Sequence, residues 1–155
     1  MKPVLCIIIV LSFGSMLSAQ AKAVSDTELF RFMSDAPTIA DTLLSLGMNF
    51  SGVESGGKED ADFSPEPGWW LGLRANPASQ RVLLAKSWSQ RFWDIVHSLR
   101  IALYIQSLRN AYDQSGEESL KTKADALSQY ISPEDLALVA RFKDRLSSGL
   151  PFIDW

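Results

Sequence analysis

Between Pro77 and Gly116 the chain contains neither glycine nor proline. Across that stretch Leu84, Trp88, Phe92, Ile95, Val96, Leu99, Ala102 and Leu103 fall on one stripe at about 100° per residue. Arg91, Asp94, His97, Arg100 and Arg109 avoid the stripe, and from Ile101 a second apolar face appears through Tyr104, Ile105 and Leu108. Asn76-Pro77 supplies a start, because Asn accepts from a free first-turn N–H and proline lacks only a hydrogen that no partner needs there. The pattern predicts one amphipathic helix over about 77–113, with its C-terminal half buried on two sides. Such a face must be covered by other elements, and no segment alternates with period two. The expected fold is therefore all-α, a small helical bundle built around this helix.

The flanking segments supply the covering helices. Ser25-Asp26-Thr27-Glu28 is a capping box, opening a short helix that ends before Pro37. Thr38 and Asp41 begin a second, whose end is weakened by Gly47. Two short N-terminal helices are thus expected within 22–50. After Ser115-Gly116, Leu120, Ala124, Leu127 and Ile131 form another helical stripe. Ser132-Pro133-Glu134-Asp135 starts the last helix, which Gly149 ends. The apolar tail Leu150–Trp155 either docks on the bundle or binds a partner. Residues 51–68 hold glycines, prolines and acids without an apolar period, and are expected to be a flexible acidic loop. The helical core domain is then 69–155.

The N-terminus has the layout of a secretory signal peptide: Lys2, an apolar run from Val4 to Leu11, then Ser18-Ala19-Gln20-Ala21. Ala19 and Ala21 supply the small residues that signal peptidase requires, which places cleavage after Ala21. The competing reading is an uncleaved anchor, since Pro3–Ala21 is uncharged and just long enough to span a bilayer. Ser12, Gly14, Ser15, Ser18 and Gln20 make it a poor span. The only cysteine is Cys6, inside this segment, so the mature chain carries neither disulfides nor a thiol nucleophile. The expected location is periplasmic or secreted, or membrane-anchored if the leader stays.

Charge and aromatics concentrate in the same region. The whole chain has a formal net charge of −3, which argues against a nucleic-acid partner. Residues 69–112 nevertheless carry six bases (Arg74, Arg81, Lys86, Arg91, Arg100, Arg109) and one acid, Asp94. The acidic loop could screen these bases, or they could meet an anionic membrane surface or an acidic protein partner. Trp69, Trp70, Trp88 and Trp93 lie in this region too. Exposed Trp beside Arg marks interfaces, because large apolar area is combined with a polar handle. The interaction residues nominated are Trp69, Trp70, Arg74, Arg91, Trp93 and Arg100, with packing in the core the alternative for the tryptophans.

Catalytic groupings are sparse. His97 is the only histidine, and Asp94 sits three residues before it on one helix face, so the two could hydrogen-bond or share a metal. No further ligand is nominated, and no cofactor is expected. Asn49-Phe50-Ser51 matches the N-glycosylation triplet, relevant only in a eukaryotic secretory pathway. Glu54-Ser55 resembles the Glu-Ser start of lytic transglycosylases, in which the Glu is the catalytic acid, and Asn76-Pro77-Ala78 is similar to a nearby Asn-Pro element of that family. The resemblance covers only these residues, and the Gly-Leu-Met-Gln segment of the family is missing. It implies a peptidoglycan hydrolase using Glu54, yet a general acid needs an apolar setting and Glu54 lies among glycines and acids.

The leading expectation is an exported, non-enzymatic helical interaction or scaffold protein of the cell envelope, such as an accessory subunit of a secretion or conjugation apparatus. The alternatives are a soluble secreted binder or effector, and the Glu54 hydrolase.

Overall fold

A computed structural model describes residues 22–50, 63–146 and 150–153. These residues form α1 (Asp26–Ser45), α2 (Gly68–Ala75), α3 (Pro77–Ala85), α4 (Arg91–Ser115), α5 (Glu118–Leu127), a 3-10 turn (Ser128–Tyr130) and α6 (Pro133–Leu146), and no strand. The protein is all-α. The leader, with Ala19 and Ala21, and the segment containing Glu54 lie outside the described residues. Among the described residues no helix is long and apolar enough to cross a membrane.

α4 is the centre, buried through Phe92, Trp93, Ile95, Val96, Leu99, Ile101, Ala102 and Ile105, and packed against α1, α5 and α6. Burial on both apolar faces follows from having helices on both sides. α1 belongs to the same core: Leu29, Phe32, Ala36, Ile39 and Leu43 are fully buried. The tail docks as well. Phe152 packs against Phe50, Phe92 and Trp93 with ring centroids 4.4, 5.7 and 5.4 Å away.

Two expectations about helix boundaries are corrected. The first concerns the two short helices expected within 22–50, which are one helix. The capping box is present, with Ser25 Oγ accepting from Glu28 N and the Glu28 carboxylate accepting from Ser25 N. Pro37 lies inside α1 and does not end it. Pro37 is exposed, so its ring does not interrupt the buried stripe, which continues on both sides of it.

The second is the helix expected over 77–113, which is two helices. Asn76 Oδ1 accepts from Ala78 N and caps α3 as expected, but α3 ends at Ala85. Ser87 then adopts φ +56°. Ser87 N donates to Leu84 O at 2.9 Å and Trp88 N to Leu83 O at 2.8 Å, the paired bonds of a Schellman motif. Arg31 of α1 fixes the corner: its Nη2 donates to Lys86 O and Ser87 O at 2.8 and 2.9 Å, and its guanidinium lies 4.1 Å from the Trp88 ring centroid. The corner breaks the stripe's phase. Leu84, predicted to face the core, is 67% exposed, and Leu83 is buried in its place.

Candidate functional site

α2 lies across one side of α4 and brings together every nominated interaction residue except Arg91. Trp70 Nε1 donates to Trp93 O at 3.0 Å, and the Trp70 ring stacks on His97 with centroids 5.0 Å apart. Arg74 pairs with Asp94 and lies 5.0 Å from the Trp70 ring centroid. Gln90 Nε2 donates to Arg74 O at 3.1 Å, tying the end of α2 to the start of α4. Trp69 lies against Arg100, its ring centroid 5.2 Å from the guanidinium carbon. Phe63 stands at the same distance from Arg100 and stacks on Tyr104 at 4.1 Å.

This covering changes the status of α4 positions expected to face outward. Trp93, placed off the apolar stripe by the helical wheel, is fully buried, and Arg100 is only 6% exposed. Trp70 is buried and Trp69 half-buried. The tryptophans contribute mainly to packing, and Trp93 presents no surface to a partner.

Several buried polar atoms along this face lack a hydrogen-bond partner among the described residues: Gln90 Oε1, Trp93 Nε1, His97 Nε2, and Arg100 Nε and Nη1. Their residues fall at i, i+3, i+7 and i+10, one line along the helix. Burial pushes the His97 imidazole below its ordinary value, opposed by Glu66 and reinforced by Arg100 and Arg74. Burial alone lowers Arg100 to about 10. Asp94 is engaged by Arg74, and the His97 ring stacks on Trp70. No group of three or more metal-ligating side chains occurs among the described residues.

Arg91 is elsewhere and has an internal role. Its Nε and Nη2 donate to the Glu28 carboxylate at 2.9 and 3.1 Å, and its Nη1 and Nη2 to Lys22 O and Ala23 O at 2.7 and 3.0 Å. The Arg91 guanidinium holds the Glu28 carboxyl well below its usual range, to about 2, and Glu28 raises Arg91 in turn. Arg91 therefore fastens the residues just after Ala21 to the bundle. Asp135 does the same by accepting from Val24 N at 2.6 Å. Reversing the charge of Arg91 is a stability perturbation before it is a test of binding.

Two clefts open beside this seam. One, of about 320 Å³, is lined by Glu66, Trp70, Leu71, Arg74, Asp94 and His97. The other, of about 200 Å³, is lined by Gln80, Leu83, Leu84, Trp88, Ser89 and Gln90. Leu71 and Leu84 are 47% and 67% exposed. Sequence reasoning missed Phe63, Glu66 and Leu71 because α2 was not anticipated. The spacing of Trp70, Leu73 and Arg74 just before Asn76 is the signal that marks it. No protein-family model, curated protein or solved structure matches the chain.

Proposed function

We propose that this chain is an exported, non-enzymatic helical interaction protein of the cell envelope, docking a protein partner through the surface that carries α2 and the α3–α4 corner. One observation carries the reading: each of the two clefts has a tryptophan in its wall (Trp70, Trp88) and an exposed leucine at its side (Leu71, Leu84). A recess with a tryptophan wall beside a projecting leucine gives a partner both a pocket to fill and a knob to receive, the α3–α4 corner offering an apolar pocket and the α2 side one with Glu66, Arg74, Asp94 and His97 in its lining. A protein partner is favoured over an anionic membrane surface because the bases are largely engaged within the chain. Arg74 is paired with Asp94, Arg91 with Glu28, and Arg100 is buried. Export rests on the leader sequence. A role as accessory subunit of a secretion or conjugation apparatus is the specific form this reading takes.

The test is a crosslinked pull-down of C-terminally tagged protein from the envelope fraction, comparing wild type with a Leu71→Glu, Leu84→Glu double variant. The variant should keep its helicity and melting temperature and lose the recovered partners. Retention of the same partners by a folded variant refutes the docking face. A wild-type protein recovered from the medium without envelope partners favours the soluble secreted binder instead.

A further inference from the structure

Arg100 differs from Arg74, the other arginine of the seam, in having no anion among the described residues. Its side chain is buried, and donors on both edges of the guanidinium fork, Nε and Nη1, lack a partner among the described residues. The contacts seen for the guanidinium are two aromatic rings, Phe63 and Trp69, each centred 5.2 Å from it. Both rings belong to half-buried residues, so the cation sits one side chain beneath the surface. A ring quadrupole attracts a cation but cannot accept its N–H bonds, and buried donors without acceptors cost free energy. Beside them begins α2, at Gly68, whose N-cap Pro67 offers no side-chain cap and whose first turn holds no acid. The first-turn N–H groups at that end thus carry the partial positive charge of a helix N-terminus.

We propose that Arg100, framed by Phe63 and Trp69 at the start of α2, is a binding site for an external carboxylate. The planar guanidinium fork matches a carboxylate in shape and in charge. A single cation, with the carboxylates of Glu66, just before α2, and Asp94, on α4 with Arg100, in the same seam, suits a monoanion better than a phosphate dianion. The inference does not depend on a protein partner: a small carboxylic acid satisfies it.

The experiment is thermal unfolding at constant ionic strength and pH with sodium chloride replaced stepwise by sodium acetate, the probe. Wild type should gain on the order of 5 °C near saturation, since a ligand that binds only the folded state stabilises it. Arg100→Met should gain nothing, and in chloride should melt at or above wild type, because it removes an uncompensated buried charge. Arg100→Lys should respond less than wild type. Should Arg100→Met fail to fold, the arginine Nε–H resonances of the wild-type protein give the same answer: acetate should shift that of Arg100 and leave Arg74 and Arg91 unmoved. An equal gain in wild type and Arg100→Met, or no gain and no shift, overturns the proposal. So does a response to inorganic phosphate but not to acetate. A combined Glu54→Gln, Glu59→Gln, Asp60→Asn, Asp62→Asn variant covers the remaining source of carboxylate. If it loses stability while wild type ignores acetate, the cation is satisfied within the chain and the external site is refuted.

Discussion

Neutralising Glu28 by Glu28→Gln isolates the contact that fastens the start of α4 to the start of α1. The carboxylate takes two charge-assisted bonds from Arg91, at 2.9 and 3.1 Å, and its side chain is 26% exposed. The Arg91 bonds hold its folded pKa at about 2 against an ordinary 4.5. That gap corresponds to about 3 kcal/mol of preference for the charged form in the folded state. Partial exposure and the remaining capping bond to Ser25, which a Gln side chain can still accept, lower the expected loss at pH 7 to about 2 kcal/mol. The sign follows from linkage. A depressed folded pKa contributes stability that is fully present above the unfolded value of about 4.5 and disappears as pH falls through about 2. Urea unfolding of wild type and Glu28→Gln at intervals from pH 7 to pH 2 measures the difference directly, and the other carboxylates cancel between the two proteins. The difference should be about 2 kcal/mol from pH 7 to pH 5, shrink across the interval from 4.5 downward, and be small at pH 2. A difference that does not change with pH refutes the electrostatic account and leaves only the capping geometry. A difference under about 0.5 kcal/mol at pH 7 refutes the pair itself as a fastener.

The two neighbouring leucines of α3 should respond oppositely in urea unfolding: Leu84→Asp should stay within about 0.5 kcal/mol of wild type, whereas Leu83→Ala should lose about 2–5 kcal/mol through the cavity it leaves. At the two left-handed residues, Ser87→Gly should gain about 0.5 kcal/mol by relieving φ +56°, net of the entropy glycine adds to the unfolded chain, and Gly116→Ala at φ +71° should lose about 1 kcal/mol; the midpoints of denaturant curves with unchanged slopes measure both. Asp94→Asn should remove the Arg74 pair at a global cost under about 1 kcal/mol, and amide exchange in α2 should accelerate while exchange in α4 does not.

Which helix ends were legible depended on which residue occupied the left-handed position. α1 and α3 finish in the same way. Gly47 N donates to Leu44 O and Met48 N to Leu43 O at the end of α1; Ser87 N donates to Leu84 O and Trp88 N to Leu83 O at the end of α3. Gly47, at φ +76°, is visible in the sequence as a weak point, whereas Ser87 is a serine inside an apolar period and is not. The strain at Ser87 is offset by Arg31, donated from α1, and by the burial of Trp88. Both belong to tertiary structure, so no local pattern announces the break. Pro37 misleads in the other direction. A proline usually ends a helix, but here Ala36, Ile39, Ala40 and Leu43 continue the buried stripe of Leu29 and Phe32, and packing outweighs one lost hydrogen bond.

The same distinction runs through the candidate site. Composition located it, because tryptophan and arginine crowd into 69–100, and all but Arg91 of the nominated residues meet beneath α2. What composition could not say is which arginine is already paired. Arg74 and Asp94 are 20 residues apart, and Arg91 and Glu28 are 63 apart, so neither pair is a local pattern. Nor could a helical wheel place Trp93 and Arg100 in the interior. It assigns faces relative to one apolar stripe, and α2 buries a second face whose residues do not look apolar. An eight-residue helix with two tryptophans is enough to cover that face and too short to show a period of its own. Once it is in place, the off-stripe polar groups have lost water without all gaining partners. Arg74 found Asp94, whereas Arg100 found only aromatic rings among the described residues. The buried cation is thus a direct consequence of how α2 docks, and a carboxylate from outside is what would complete it.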